Sequence, residues 1–399
     1  MRLTRPFIEF FRSEKTGGTV LLLCTVLSIL AANGPFSGSY VAFWQSPLFL
    51  SFGPVELDFT LLRWINDGLM AAFFLLVGLE IRREMSRGEL SDVRSALFPA
   101  IAAAGGMIVP ASLHYLINRG TPTQAGFGIP MATDIAFALG VLSLLGNRVP
   151  PSLKVFLAAL AIMDDLGAIL VIALFYTKDI SLAYLGASLG LFAVLIAMRR
   201  LNAKRLLPYI LAGTAMWYCM VRSGIHPTIA GVLFAFAIPS GGEDSSSLSS
   251  RVQHFLHAPV AYVILPVFAL ANTGIRLAHN WQVHLLESNS VGILSGLVIG
   301  KPAGIVLFSF LAVAAGLCSL PEGMGWAQLF GTGVLAGIGF TMSIFISNLA
   351  FSDPRIAGTS VTAVLAASAA AGLGGYLFLS AVKSVKSVST DSLTEGEAP

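Results

Sequence analysis

Long apolar runs alternate with short polar ones along almost the whole chain. We read twelve apolar spans, at about 17–34, 59–80, 95–116, 124–146, 152–175, 181–198, 205–221, 225–239, 255–275, 290–316, 327–350 and 357–382. An apolar stretch of about 20 residues is long enough to cross a bilayer as a helix. The pattern predicts an all-α polytopic membrane protein of twelve transmembrane helices. Residues 1–385 form a single transmembrane unit, and the polar tail 386–399 is expected to be disordered. A Gly/Ser-rich loop at 241–250 separates spans eight and nine. The loop at 37–58 contains no Lys or Arg. Its Val41–Trp44 and Pro47–Phe52 stretches are short, aromatic and aliphatic, and Gly53-Pro54 is a turn signal. A small external hairpin and an irregular loop are both open readings here.

Composition agrees with the pattern. Of 399 residues, 55% are hydrophobic and 11% charged, against about 25% charged in a soluble domain. The net charge of +3 gives no reason to expect a nucleic-acid partner. Cys24, Cys219 and Cys318 are scattered, with neither metal-ligand spacing nor a disulfide framework. No cofactor and no enzymatic activity are expected. The basic N-terminus is followed by no small-residue cleavage site, so the first apolar run reads as a span and not as a signal peptide.

The position of the positive charge matters more than its sum. Seventeen Lys and Arg fall in alternate segments: before span one, after spans two, four, six and eight, and after span twelve. The other loops hold five: Arg119, Lys178, Arg222, Arg276 and Arg355. The positive-inside rule therefore puts both termini in the cytoplasm. Arg63 and Lys301 lie within spans.

Four features break the apolar spans, apart from the most conspicuous, the adjacent pair Asp164 and Asp165 in the middle of span five. A charge at bilayer depth costs at least about 2.5–3.5 kcal/mol, and such residues mark ion or proton pathways. The first of the four is Pro130, Thr133 and Asp134 in span four. Proline removes a backbone donor and interrupts a helix. The second is a run of four glycines, Gly331, Gly333, Gly337 and Gly339, in span eleven. Interrupted segments at corresponding places in two halves point to inverted repeats around a transport site, here spans three to five against ten to twelve. The third is Lys301 in span ten, for which Asp164 or Asp165 is the natural partner. The fourth is Asp67 in span two, a candidate for lining a water path, with Glu80 at the other end of that span. Glu80, Arg83 and Glu84 fall at helical spacing and suit surface ion pairs. His226 reads as a helix-end residue.

Neighbours on a helix point about 100° apart, so Asp164 and Asp165 cannot both face one partner. One meets Lys301 and the other faces an aqueous funnel. Carboxylate oxygens suit a hard cation, Na+ or Li+. Burial and a like-charged neighbour both disfavour an ionised carboxylate, so proton and cation compete for the same oxygens. Where spans four and eleven break, Asp134 suits a positive half-helix end and Lys301 a negative one. A sodium-coupled organic-solute symporter is the alternative; it needs a polar solute pocket that the sequence does not display. An intramembrane aspartyl protease needs its two aspartates on separate helices, and a channel needs a ring of charges.

Several stretches together carry a resemblance. They are Asn66-Asp67-Gly68-Leu69-Met70, Phe73 to Glu80, Ala132 to Gly140, Asp164 to Ile169, Leu265 to Ala269, Gly300-Lys301-Pro302 and Gly337 to Phe345. From about Phe7 to Val382 the chain resembles the NhaA-type sodium/proton antiporter family of bacterial inner membranes. The resemblance implies an NhaA-like fold, inverted-topology repeats with spans four and eleven unwound and crossing near the midplane. It implies electrogenic export of Na+ or Li+ in exchange for protons. Asp165 would be the principal cation ligand and Asp164 its partner, paired with Lys301 in the inactive or protonated state. Thr133 and Asp134 would line the site. Regulation by pH would lie at the funnel mouth, at Glu80, Arg83, Glu84, His254 and His257, and Asp67 is grouped with them as a funnel residue. There Gln253 stands where the family often has an acid. A homodimer joined partly by the external hairpin is implied as well.

Overall fold

A computed structural model describes residues 5–382 other than 53–54, 89–91, 178, 202, 204, 241–246, 277–280 and 322. The Gly53-Pro54 turn, most of the Gly/Ser-rich loop and the tail lie outside the described residues. Within a bilayer the backbone must satisfy its own hydrogen bonds, and only helices or closed barrels do so. The apolar runs are accordingly helical. They form α1 (Arg5–Asn33), α2 (Ser37–Gln45), α3 (Leu61–Ser86), α4 (Val93–Ile117), a 3-10 segment (Pro122–Met131), α5 (Ile135–Leu144), α6 (Pro151–Phe175), α7 (Leu182–Arg200), α8 (Leu206–Ser223), α9 (Thr228–Ala237), α10 (Leu248–Asn272), α11 (Ser288–Ala314), α12 (Trp326–Ala336), α13 (Phe340–Ala350) and α14 (Pro354–Ala381). Among the described residues, eight helices are long and apolar enough to cross a membrane, or ten if each of two bent pairs counts as one span.

The two bent pairs are the interruptions the sequence predicts. The Pro122–Met131 segment meets α5 at 46°, and α12 meets α13 at 48°. Each pair stands between two long helices in sequence, α4 and α6 for one, α11 and α14 for the other. The breaks touch: the Asp134 backbone N–H donates to the Ile338 carbonyl at 2.7 Å. Two close crossings set the helices around them. On α4 and α11, a Cβ added to Gly304 would lie 2.1 Å from the Gly105 oxygen, and one on Gly105 2.2 Å from the Gly304 oxygen. Only glycine fits at such a backbone contact. On α3 and α9, a Cβ on Gly231 would lie 2.2 Å from the Ala71 oxygen.

The 37–58 loop departs from its expected form. Val41–Trp44 belongs to α2 and is not a strand. The hairpin is built instead from β1 (Pro47–Phe52) and β2 (Val55–Thr60), antiparallel, with Pro47 opposite Thr60 and Phe52 opposite Val55. The Trp64 indole N–H donates to the Leu48 carbonyl at 3.0 Å and ties the hairpin to α3. Span two consequently starts at Leu61 and not at 59, because Phe59 and Thr60 complete the hairpin. Thr60 then caps the new helix, accepting from Arg63 N–H at 3.2 Å. At the start of α10 the helix begins earlier than 255, at Leu248, with Ser247 accepting from Ser250 N–H.

Candidate ion site

The site is assembled where the two breaks meet α6 and α11. Lys301 Nζ lies 2.8 Å from Asp164 Oδ2, and both side chains are fully buried. The Thr133 hydroxyl lies 2.6 Å from the same carboxylate oxygen and 3.0 Å from the Ala336 carbonyl at the end of α12. Lys301 also donates to the Met131 carbonyl, the negative end of the 3-10 segment. Cations are stabilised at such ends and anions at the opposite ones. Asp134 occupies two of the latter. Its Oδ1 accepts from Phe137 N–H at 3.0 Å at the start of α5. Its Oδ2 accepts from Thr341 N–H at 3.1 Å at the start of α13, and from the Thr341 hydroxyl. Ser343 braces the same junction, donating to the Ile129 carbonyl at 2.7 Å.

Asp165 faces elsewhere. It lines a cavity whose wall includes Glu80, Thr133, Asp134, His257 and Thr341. The cavity volume is about 80 Å³. Roughly 10–15 Å³ of such space holds one water, so the cavity suits a few waters or a partly hydrated cation and is too small for most organic solutes. Asp165 is 2% exposed, and its Oδ1 has no hydrogen bond among the described residues; the same holds for Asp164 Oδ1. A buried carboxylate oxygen without a partner is costly, and a hard cation supplies what it lacks. Asp164, Asp134 and Glu80 act electrostatically on Asp165, and Lys301 acts on it with the opposite sign.

The structure thus brings together Asp164, Lys301 and Thr133 as one cluster, and Asp165, Asp134, Glu80 and His257 along one cavity. Arg83 pairs with Glu84 at 3.2 Å beyond Glu80 on α3, and Arg83 is exposed. His254 is exposed and is not among the cavity-lining residues. Asp67 must be separated from this group. It sits thirteen residues before Glu80, about 20 Å along the helix, and does not line the cavity. It pairs there with Arg63 at 3.1 Å and with His226 Nε2 at 3.5 Å. His226 Nδ1 lies 2.7 Å from the Thr228 hydroxyl, the helix-end role expected of it.

The structure adds three features to those the sequence singles out. Thr341, the second residue of α13, has a signal, since a hydroxyl two residues after a glycine break is placed to bond an N-terminal anion. Arg82, counted only as loop charge, donates to the Ala235 carbonyl at 3.0 Å and to the Ile238 carbonyl, and holds the end of α9. Asn66, Asn272 and Asn348 form a hydrogen-bonded cluster across three helices; no spacing rule joins residues so far apart in sequence.

The comparisons bear on this arrangement. The family described as Na+/H+ antiporter 1 matches residues 8–379. The chain is 55% identical over 383 residues to the Na(+)/H(+) antiporter NhaA of Dechloromonas aromatica, covering 95% of this chain and 96% of that protein. It is 48% identical over 375 residues to the Na(+)/H(+) antiporter NhaA of Escherichia coli, covering 93% and 97%. Among solved structures, a sodium proton antiporter from Methanocaldococcus jannaschii superimposes with a TM-score of 0.51 at 12% identity, covering 94% of this chain and 99% of that one, a likeness of fold alone. With the breaks, the aspartate pair and the matched length in agreement, the chain belongs to the Na+/H+ antiporter 1 family, as an NhaA-type member.

Proposed function

We propose that this protein is a secondary active transporter that exports Na+ or Li+ across a bacterial inner membrane in exchange for protons. The observation that carries the proposal is Asp165: a buried carboxylate with an unbonded oxygen, lining a cavity of about 80 Å³. Cation binding displaces the proton held there, and reprotonation releases the cation. Asp164 takes part through its own unbonded oxygen, exchanging its hold on Lys301 for a share of the cation. More protons than cations cross per cycle, so exchange is electrogenic. Thr133 contributes its hydroxyl, and Asp134 holds the half-helix ends.

The fold reading completes the picture. Twelve crossings follow if α8 and α9 join the ten spans, with the two broken pairs as matched elements of inverted repeats. The 17-to-5 distribution of Lys and Arg supports cytoplasmic termini. Regulation by pH is assigned to the cavity mouth, where Glu80 and His257 line the wall and Arg83, Glu84 and His254 stand outside it. The hairpin supports a homodimer, since Leu48, Phe49 and Leu50 are exposed on it.

The test is proton movement in everted membrane vesicles from a host lacking its own antiporters, with Na+, Li+ and K+ added in turn. Collapse of an acid-inside gradient by Na+ and Li+ and not by K+ is the expected result. No response to any of the three overturns the proposal.

A further inference from the structure

We propose that Asn66, Asn272 and Asn348 form the gate that closes the ion route on the face opposite the cavity, and that this amide cluster opens once in each transport cycle. The proposal rests on the exchange function above. In the structure the cavity reaches Asp165 from the Glu80 and His257 side. Three of the helices that wall it continue past the site towards the hairpin face. On α3, Glu80 lines the cavity and Asn66 stands fourteen residues earlier. On α10, His257 lines it and Asn272 stands fifteen residues later. On α13, Thr341 lines it and Asn348 stands seven residues later, about 10 Å along the axis. On this proposal the route from Asp165 to that face runs between these three helices.

They are joined there by side-chain amides. Asn66 Nδ2 donates to Asn272 Oδ1 at 3.1 Å, and Asn272 Nδ2 donates back to Asn66 Oδ1 at 2.9 Å. Asn348 Nδ2 donates to Asn272 Oδ1 at 2.7 Å. Asn272 also donates to the Phe268 carbonyl one turn below, at 2.9 Å. Asn272 is therefore the hub, with both amide hydrogens and both acceptor positions in use. Along these helices, between Glu80, His257 and Thr341 on the one hand and the amides on the other, stand Phe74, Phe268 and Phe345. Phe74 is 5.5 Å from Phe345, His226 5.3 Å and Phe268 6.3 Å, centroid to centroid.

The chemistry suits a contact that must break. Three buried or half-buried amides at membrane depth need partners, and here they satisfy one another. Neutral hydrogen bonds between helices are individually weak, unlike the charged pair at Asp164 and Lys301. The Asn272–Asn348 bond also joins two sides of the route. Asn348 is on α13, whose other end is fixed to Asp134 in the site, whereas Asn272 and Asn66 are on α10 and α3 across the cavity.

The test uses the full chain in vesicles, with Cys24, Cys219 and Cys318 replaced by alanine and the pair Asn272→Cys and Asn348→Cys added. Exchange is measured reduced, oxidised and re-reduced, with the cysteine-free parent alongside. Oxidation is expected to lower exchange at least about tenfold, as closure of a gate requires, and re-reduction to restore it. A cross-linked pair that exchanges at the reduced rate overturns the proposal. So does failure of both oxidant and a short bifunctional thiol reagent to join the pair. Should the reduced pair be inactive, Asn272→Cys alone is labelled with an impermeant maleimide from the hairpin face. Labelling that is faster during turnover than at rest supports the gate, and equal labelling overturns it. Absence of exchange in the parent condemns the exchange reading itself, and exchange in the parent with an ineffective cross-link condemns only the gate.

Discussion

Replacing Asp134 with alanine tests whether one carboxylate holds both half-helices together. Its two oxygens accept from Phe137 N–H at 3.0 Å and from Thr341 N–H at 3.1 Å, at the starts of α5 and α13. Losing a helix cap costs about 0.5–2 kcal/mol, and an anion at a partly buried helix start contributes up to about 2 kcal/mol. With each of these four contributions near the middle of its range, about 1 kcal/mol, the two ends together come to about 3–5 kcal/mol. Removing a buried charge also returns part of its desolvation cost, so the lower figure applies. With about 2.1 cal/mol/K of unfolding entropy per residue, 3 kcal/mol over this chain corresponds to a melting point lowered by roughly 4 °C. Asp134→Asn keeps one acceptor and should fall between. Thr341→Val leaves the backbone donor in place and removes only the hydroxyl, for about 1 kcal/mol. Thermal unfolding in detergent, followed by tryptophan fluorescence, measures all three. If Asp134→Ala melts within a degree of the parent and the three variants do not rank in this order, the double-cap reasoning is wrong.

Asp165→Asn should abolish Na+-dependent exchange in vesicles while the protein melts normally, because the oxygen it alters has no hydrogen bond among the described residues; robust exchange in that variant would sink the site assignment. Lys301→Met leaves Asp164 buried without its counter-charge and should destabilise the protein by about 3–5 kcal/mol. Adding Asp164→Asn to Lys301→Met should recover most of that loss in the same melting experiment. Gly304→Ala places a Cβ 2.1 Å from the Gly105 carbonyl oxygen, a backbone contact unable to yield, and should cost about 1–3 kcal/mol with lower yield of folded protein in detergent extracts.

Most of the site was readable because membrane burial makes polar residues conspicuous. Asp164, Asp165 and Lys301 stand out against apolar neighbours, and the 100° step along a helix already separates the roles of the two aspartates. Asp134 and Lys301 took the half-helix ends that their charges suit. What was not readable depends on which distant segments meet. Asp67 shares a helix with Glu80 and was grouped with it, but the helix is long enough to put the two on different sides of the site. The asparagine cluster joins residues 66, 272 and 348, a grouping that only tertiary packing creates. In the 37–58 loop, aromatic and aliphatic residues serve a helix and a strand equally well, so Val41–Trp44 was ambiguous without its surroundings.

The charges at the site also show why its three aspartates have different work. A helix start carries roughly half a positive charge, and Asp134 faces two of them, so its charge is balanced by backbone and the Thr341 hydroxyl, without a basic side chain. Asp164 is balanced by Lys301 at 2.8 Å, and Lys301 meets the carbonyl of Met131 as well. Asp165 has no such contact: Lys301 acts on it only at a distance, its Oδ1 has no hydrogen bond among the described residues, and it faces the cavity. On the proposed function, Asp165 is then the carboxylate that a proton or a cation arriving through the cavity would neutralise. This ordering predicts that damage at Asp134 is felt first in stability and damage at Asp165 first in transport. Asp164 stands between, since a cation drawing on its free oxygen would compete with Lys301 for that carboxylate, and Lys301 also holds the break beside Met131.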